Sequence, residues 1–331
     1  MNVRRSPRPR RRLISTTAVA GTTALGIALL SACSSSTAAD GKGGGKDGKL
    51  DVVASFYPMQ YLAEQIGGDH VAVTNLTEPG KEPHDLEVSA QQRGQLEEAD
   101  VAVYLKGLQP SVDEAISQSG IGTKVDATSL TELEKHGSEV GGHADEHDHD
   151  HSSEEGGEGT DPHIWLDPVK YAEVAEGVGK ALEKADPDHA AEYKKNTATL
   201  VDKLDGLNKK YADGLKNTDS KVFITTHAAF GYLAERYGLT EEAISGLDPE
   251  SEPSAARVKE LQKMAKADGV TTVFYETLVS DRTAKTLAGD TGLKTAVLDP
   301  IEGITGKSQG DDYIAVMESN LAALQKALGT K

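Results

Sequence analysis

Short apolar runs alternate with amphipathic stretches through most of the chain. Runs of strand length occupy residues 51–56, 71–76, 101–105, 222–226, 271–275 and 295–298. Between them, residues 59–66, 110–118, 255–267 and 281–290 place apolar side chains at helical spacing. Strands that alternate with helices predict an α/β fold with mainly parallel sheets. No short fixed repeat interrupts this order.

Two features divide the pattern. Residues 137–160 carry many acids and histidines and no apolar periodicity, which predicts a loop without packed structure. Asp186-Pro187 then opens a helix with an acidic cap and a proline in its first turn. Over residues 187–216 the apolar positions Tyr193, Leu200, Leu204, Leu207, Tyr211 and Leu215 form one narrow stripe. That stripe predicts a rod of roughly 45 Å lying along two lobes, not two helices broken at Gly206. The expected organisation is an N-terminal lobe over 50–185, a connecting helix over 186–216 and a C-terminal lobe over 217–331.

The N-terminus departs from this pattern. Six arginines lie within the first 12 residues, and an uncharged apolar stretch follows to Ala32. Basic, apolar and then small residues are the signature of an export signal, here 1–32. Leu30-Ser31-Ala32-Cys33 resembles a bacterial lipobox, so Cys33 is the expected lipidation site and first mature residue. Residues 33–49 are small, polar and Gly-rich, a tether spanning on the order of 20 Å.

Charge and cysteine content narrow the function. With 53 acidic and 35 basic residues the net charge is −18, which disfavours nucleic acid as a partner. A single Cys excludes an internal disulfide and any thiolate metal cluster, and 4 Phe with 1 Trp require an aliphatic core. The ten histidines stand out against this composition.

Five of them, His136, His143, His147, His149 and His151, lie in or beside the predicted loop. The alternation of imidazole and carboxylate around His143, His147, His149 and His151 suits weak, variable uptake of divalent ions. Three others sit in defined settings. His84 follows the second strand within Glu-Pro-His-Asp, His163 lies in Asp-Pro-His-Ile-Trp at the loop exit, and His227 follows the strand at 222–226. In open α/β sheets, ligands bind beyond the carboxyl ends of strands. Asp299, directly after the strand at 295–298, offers a carboxylate, and Glu276 competes with it; Glu82 is a further alternative ligand or supporting group. Three imidazoles and one carboxylate suit tetrahedral Zn²⁺, whereas Mn²⁺ more often takes a second carboxylate. His70 and His189 read as ordinary surface residues.

EPHDLEVSA, DPHIWLDP, TTHAAFGYLAERYGL, SEPSAARVKELQ and AVLDPIEGI together resemble the zinc/manganese solute-binding lipoproteins of ABC transporters, the cluster A-I family, over residues 50–328. His227 and the acidic histidine loop resemble its zinc-uptake branch. The resemblance implies two α/β lobes joined by one long rigid helix, with metal in the cleft between them. It implies His84, His163, His227 and Asp299 as ligands. It further implies a monomer, anchored outside the cell membrane, that captures zinc and delivers it to a permease driven by a cytoplasmic ATPase. It implies no enzymatic activity.

Two rival readings use the same residues. A secreted zinc hydrolase would need a base beside the three histidines, but the chain has neither an H-E-x-x-H helix nor a G-x-S-x-G elbow. A surface adhesin would hold metal structurally, and would unfold when the metal is removed.

Overall fold

The computed structural model describes residues 48–137, 139–140 and 160–330. The export signal, Cys33, nearly all of the tether, and His143, His147, His149 and His151 lie outside the described residues.

The first sheet is parallel and has four strands. β1 (Leu50–Ala54), β2 (Val71–Asn75), β3 (Val101–Tyr104) and β4 (Thr123–Asp126) lie in the order β2-β1-β3-β4. Three helices connect them: α1 (Tyr57–Gly67), α2 (Ala90–Glu98) and α3 (Pro110–Gln118). Prolines in the first turns of α1 and α3 replace N–H groups that would lack a partner there. Ser89 and Gln92 cap α2 reciprocally. Successive residues of β1 face opposite ways: Val53 packs toward α2 and α3, and Val52 and Ala54 face the molecular centre.

Two long helices follow. α4 (Pro168–Ala185) is capped by the Asp167 carboxylate, and a single 3₁₀ turn at Pro187–His189 leads into α5 (Ala190–Leu215). α5 runs unbroken through Gly206 for 26 residues, roughly 39 Å. All six positions of the predicted stripe are buried, with Thr197 among them. α4 and α5 pack so closely that a Cβ at Gly179 would stand 2.2 Å from Thr197 Oγ1.

The second sheet has the order β5-β7-β6-β8-β9. β6 (Val222–Thr225), β7 (Thr240–Ala243), β8 (Thr272–Tyr275) and β9 (Lys294–Val297) are parallel, and β5 (Glu139–Val140) joins β7 antiparallel. The helices here are α6 (Gly231–Tyr237), α7 (Ala255–Ala267), α8 (Arg282–Thr291) and α9 (Tyr313–Leu328). Although β5 belongs by sequence to the first lobe, its backbone pairs with the second sheet. β7 is polar, and its Glu241 is fully buried, accepting from Thr225 Oγ1 (2.7 Å) and Phe230 N–H. Burial pushes the Glu241 carboxyl up to about 7.

The inner faces of both sheets meet one apolar cluster. It runs from Val52 and Val103 through Trp165, Leu204 and Tyr211 to Phe223, Phe274 and Met317. α5 touches helices on both sides, with Asn196 donating to Ile66 O in α1 and Tyr211 donating to Met317 O in α9.

Candidate metal centre

Loops at the strand ends bring His84, His163, His227 and Glu302 together. Each histidine is held by a separate local device, at the backbone for His84 and at the ring for the other two. Oε1 of the Glu82 side chain accepts the His84 backbone N–H at 2.8 Å. Asp161 Oδ1 accepts both the backbone N–H (2.9 Å) and the ring Nδ1–H (2.7 Å) of His163. Glu276, just beyond β8, accepts the Nδ1–H of His227, just beyond β6, at 2.8 Å, and Thr226 Oγ1 donates to the same oxygen. With Nδ1 of His163 and His227 donating to these carboxylates, Nε2 is the atom each ring can offer inward to a cation once it gives up its proton.

The three Nε2 atoms surround Glu302 Oε1 at 3.4 Å (His84), 3.6 Å (His163) and 3.5 Å (His227). Bonds of about 2.05 Å at tetrahedral angles separate ligand atoms by about 3.3 Å, so the three nitrogen–oxygen distances are close to those of a zinc shell, and all four atoms lie within 4.8 Å of one another. His84 is 12% exposed at its side chain, and the other three groups are essentially sealed. Apart from these convergent contacts, His163 Nε2, His227 Nε2 and Glu302 Oε2 have no hydrogen-bond partner. Buried polar atoms left this way are costly, and a cation at their centre would satisfy them.

The electrostatics fit a cation. Burial opposes charge on His163, but Asp161 and Glu302 outweigh it and raise its pKa above the ordinary value. Burial likewise opposes charge on His227, and Glu276 with Glu302 lifts its pKa well above that value. Burial also works against ionising Glu302, yet the three imidazoles hold its carboxyl well below the usual range. In contrast, burial together with the Glu302 charge pushes Glu82 up to about 9. A neutral acid there supports the His84 backbone and adds no anion.

The structure replaces one expected residue at the centre. Asp299 does not reach the imidazoles: its Oδ1 accepts from Ile301 N–H (2.8 Å) and its Oδ2 from Thr277 Oγ1 (3.1 Å). Burial raises its carboxyl to about 6. Asp299 therefore folds the turn, and Glu302, three residues on, supplies the carboxylate. Ile301 between them has φ 60°, the left-handed region that a β-branched residue rarely enters. Trp165 Nε1 fixes the turn by donating to Pro300 O at 2.7 Å, and Asn320 bridges the N–H and C=O of Asp299. Glu276 orients His227 and does not occupy the fourth corner.

Residues 52–327 match the model of the family described as zinc-uptake complex component A periplasmic (ZnuA). The zinc-binding lipoprotein AdcA of Streptococcus pneumoniae (strain TIGR4) is 38% identical over 286 residues, covering 85% of this chain and 56% of its own length. The chain thus spans about half the length of the first curated relatives it matches. The high-affinity zinc uptake system protein ZnuA of Bacillus subtilis is 36% identical over 310 residues, 92% of this chain and 95% of that protein. Among solved structures, the Zn(II)-bound ZnuA-like domain of S. pneumoniae AdcA superposes with a TM-score of 0.69 at 36% identity, covering 85% of this chain and 99% of that one. By sequence span and by structure, the chain belongs to the ZnuA family of zinc-uptake components.

Proposed function

We propose that the protein captures Zn²⁺ outside the cytoplasmic membrane and hands it to an ABC permease. The observation that carries this reading is the convergence of three imidazole Nε2 atoms on Glu302 Oε1 at 3.4–3.6 Å. Three nitrogens and one oxygen at that spacing match zinc, and manganese would favour more oxygen. All four corners come from side chains, so no position remains for a substrate water, which favours carriage over hydrolysis. Relatives named as zinc-binding and zinc-uptake proteins support the same cargo. His84, His163, His227 and Glu302 are the ligands in this reading, with Asp161 and Glu276 orienting two of the rings. Cleavage before Cys33 and lipidation of its thiol would hold the body at the membrane surface, beside a permease powered by a cytoplasmic ATPase.

Equilibrium competition against a zinc chelator tests the assignment. One tight Zn²⁺ per chain is expected, lost or weakened by 100-fold or more in His163→Ala, His227→Ala and Glu302→Gln. Retention of tight binding in all three would overturn it. The metal-free protein should remain folded by circular dichroism, which separates a carrier from a protein that needs metal for its structure.

A further inference from the structure

We propose that Glu134, His136 and Glu235 form a second divalent-cation site, joined to the three-histidine centre through the carboxylate of Asp161. Asp161 is fully buried and spends its two oxygens on two different histidines. Oδ1 holds His163 as described, and Oδ2 accepts Nδ1–H of His136 at 2.8 Å. That bond occupies Nδ1, so a cation reaching the ring would bind at Nε2 in place of the proton shared there with Glu235. It faces Glu235 Oε2 at 3.0 Å, and the ligand atoms of Glu134, His136 and Glu235 all lie within 4.8 Å of one another. A carboxylate behind an imidazole is the usual support of a metal-bound histidine.

The surroundings are built, not a chance meeting of surface acids. The His136 side chain is only 7% exposed, with its ring standing edge-on to Tyr232 at 4.6 Å. Tyr232 Oη accepts the Glu134 backbone N–H (2.9 Å) and donates to Asp161 O (2.8 Å), locking the two segments together. Glu235 arrives from α6. Beside the two glutamates a polar cavity of about 270 Å³, lined by Glu134, Asp167, Lys170, Tyr232, Glu235 and Arg236, leaves room for an ion's water ligands.

Charge favours a doubly positive guest. Asp161, Glu134 and Glu235 are opposed by Lys170, whose Nζ lies 2.9 Å from Glu134 Oε1. Arg236 is matched by Asp167 at 2.6 Å and adds nothing to the balance. With His136 neutral, as it would be when bound to a cation, two negative charges remain. Two carboxylates, one imidazole and water suit borderline cations at modest affinity, Zn²⁺ and Mn²⁺ among them.

The shared carboxylate couples the two sites, a consequence that rests on the function proposed above. A cation on His136 makes its Nδ1–H a stronger donor and draws charge from Asp161. His163 then loses support for its own Nδ1–H and becomes a weaker ligand. Binding at either site should therefore weaken the other, by the same factor in both directions.

Zinc titration of the whole chain, read by imidazole ¹⁵N spectra and equilibrium binding, tests this. The first equivalent should leave His136 Nε2 unshifted; the next should move it while Nδ1 stays protonated. Glu235→Gln and Glu134→Gln should weaken that later step at least tenfold and leave the first within about twofold. His227→Ala, which disables the tight centre, should strengthen binding at His136 several-fold. A His136 Nε2 signal that stays fixed up to millimolar zinc, or a second step unchanged in Glu235→Gln, would overturn the site. Binding at His136 that is identical in the wild type and His227→Ala would overturn the coupling. Tight zinc that survives His227→Ala would instead count against the function proposed for the three-histidine centre.

Discussion

Asp299 Oδ1 accepts the Ile301 N–H at 2.8 Å, and this bond closes the turn that delivers Glu302 to the three imidazoles. The two carboxylates thus have separate tasks, and substitution can tell them apart. Asp299→Asn keeps an acceptor oxygen for Ile301, so its zinc affinity should stay within about threefold of wild type. Glu302→Gln should lose 100-fold or more, measured by chelator competition. The opposite ranking would make Asp299 the ligand.

Glu276 raises the pKa of His227 by accepting its Nδ1–H and by its charge, against the opposing effect of burial. Zinc bound as proposed at His227 would therefore displace a proton, and affinity should rise with pH through that raised pKa. Glu276→Gln removes the charge and lowers the pKa, so fewer protons should be released per zinc near neutral pH. Calorimetry in buffers of different ionisation enthalpy reads this number directly. The affinity itself should drop by about 10-fold, the usual scale for loss of a group that orients a metal-bound histidine.

Glu241 gives a stability prediction that is independent of metal. Its folded-state pKa of about 7 lies above the ordinary carboxyl value near 4.5. The stability it contributes is complete below the unfolded pKa and is lost as pH rises through the folded one. Metal-free protein should therefore lose stability between about pH 4.5 and 7, with a slope of at most about 1.4 kcal/mol per pH unit from this group. Glu241→Gln should flatten that slope in urea unfolding. An unchanged slope would remove Glu241 as its source.

The contact of α4 with α5 at Gly179 predicts a paired effect. Gly179→Ala should destabilise by about 1–3 kcal/mol, because its Cβ meets Thr197 Oγ1 at 2.2 Å. Thr197→Ala in the same chain should recover part of that loss, read as a double-mutant cycle in urea.

How much of this was legible in sequence depended on where the energy resides. The strands at 222–226 and 271–275 and the helix at 255–267 announce themselves by apolar spacing, and the structure places β6, β8 and α7 there within a residue. The stripe of α5 was readable for the same reason. β7 was not, because Thr-Glu-Glu-Ala is held by buried polar bonds and a salt bridge from Arg257 to Glu242. β4 offers a single buried apolar residue, Val125, and β5 is two residues long. At the candidate centre, reading of the sequence contexts singled out the three histidines that the structure brings together. It stopped at Asp299 because nothing in the residue pattern reveals that Ile301 turns left-handed and carries the chain on to Glu302. His70 and His189 read as unremarkable, and each does pair with a nearby acid, but their rings also stack at 3.8 Å.

The apolar cluster that both sheets share has a kinetic meaning. A carrier whose halves were separate bodies would spend part of its binding free energy on closing, and its apparent affinity would fall by the fraction of time it stood open. Here Trp165 and Tyr211 belong to the same cluster as Phe223 and Met317, so the walls of the centre are joined before any ion arrives. In such a design little of the free energy of binding at the proposed centre would be spent on closing its walls. Release from the centre proposed above would then require moving the Asp299–Glu302 turn away from Trp165, whose Nε1 donates to Pro300 O.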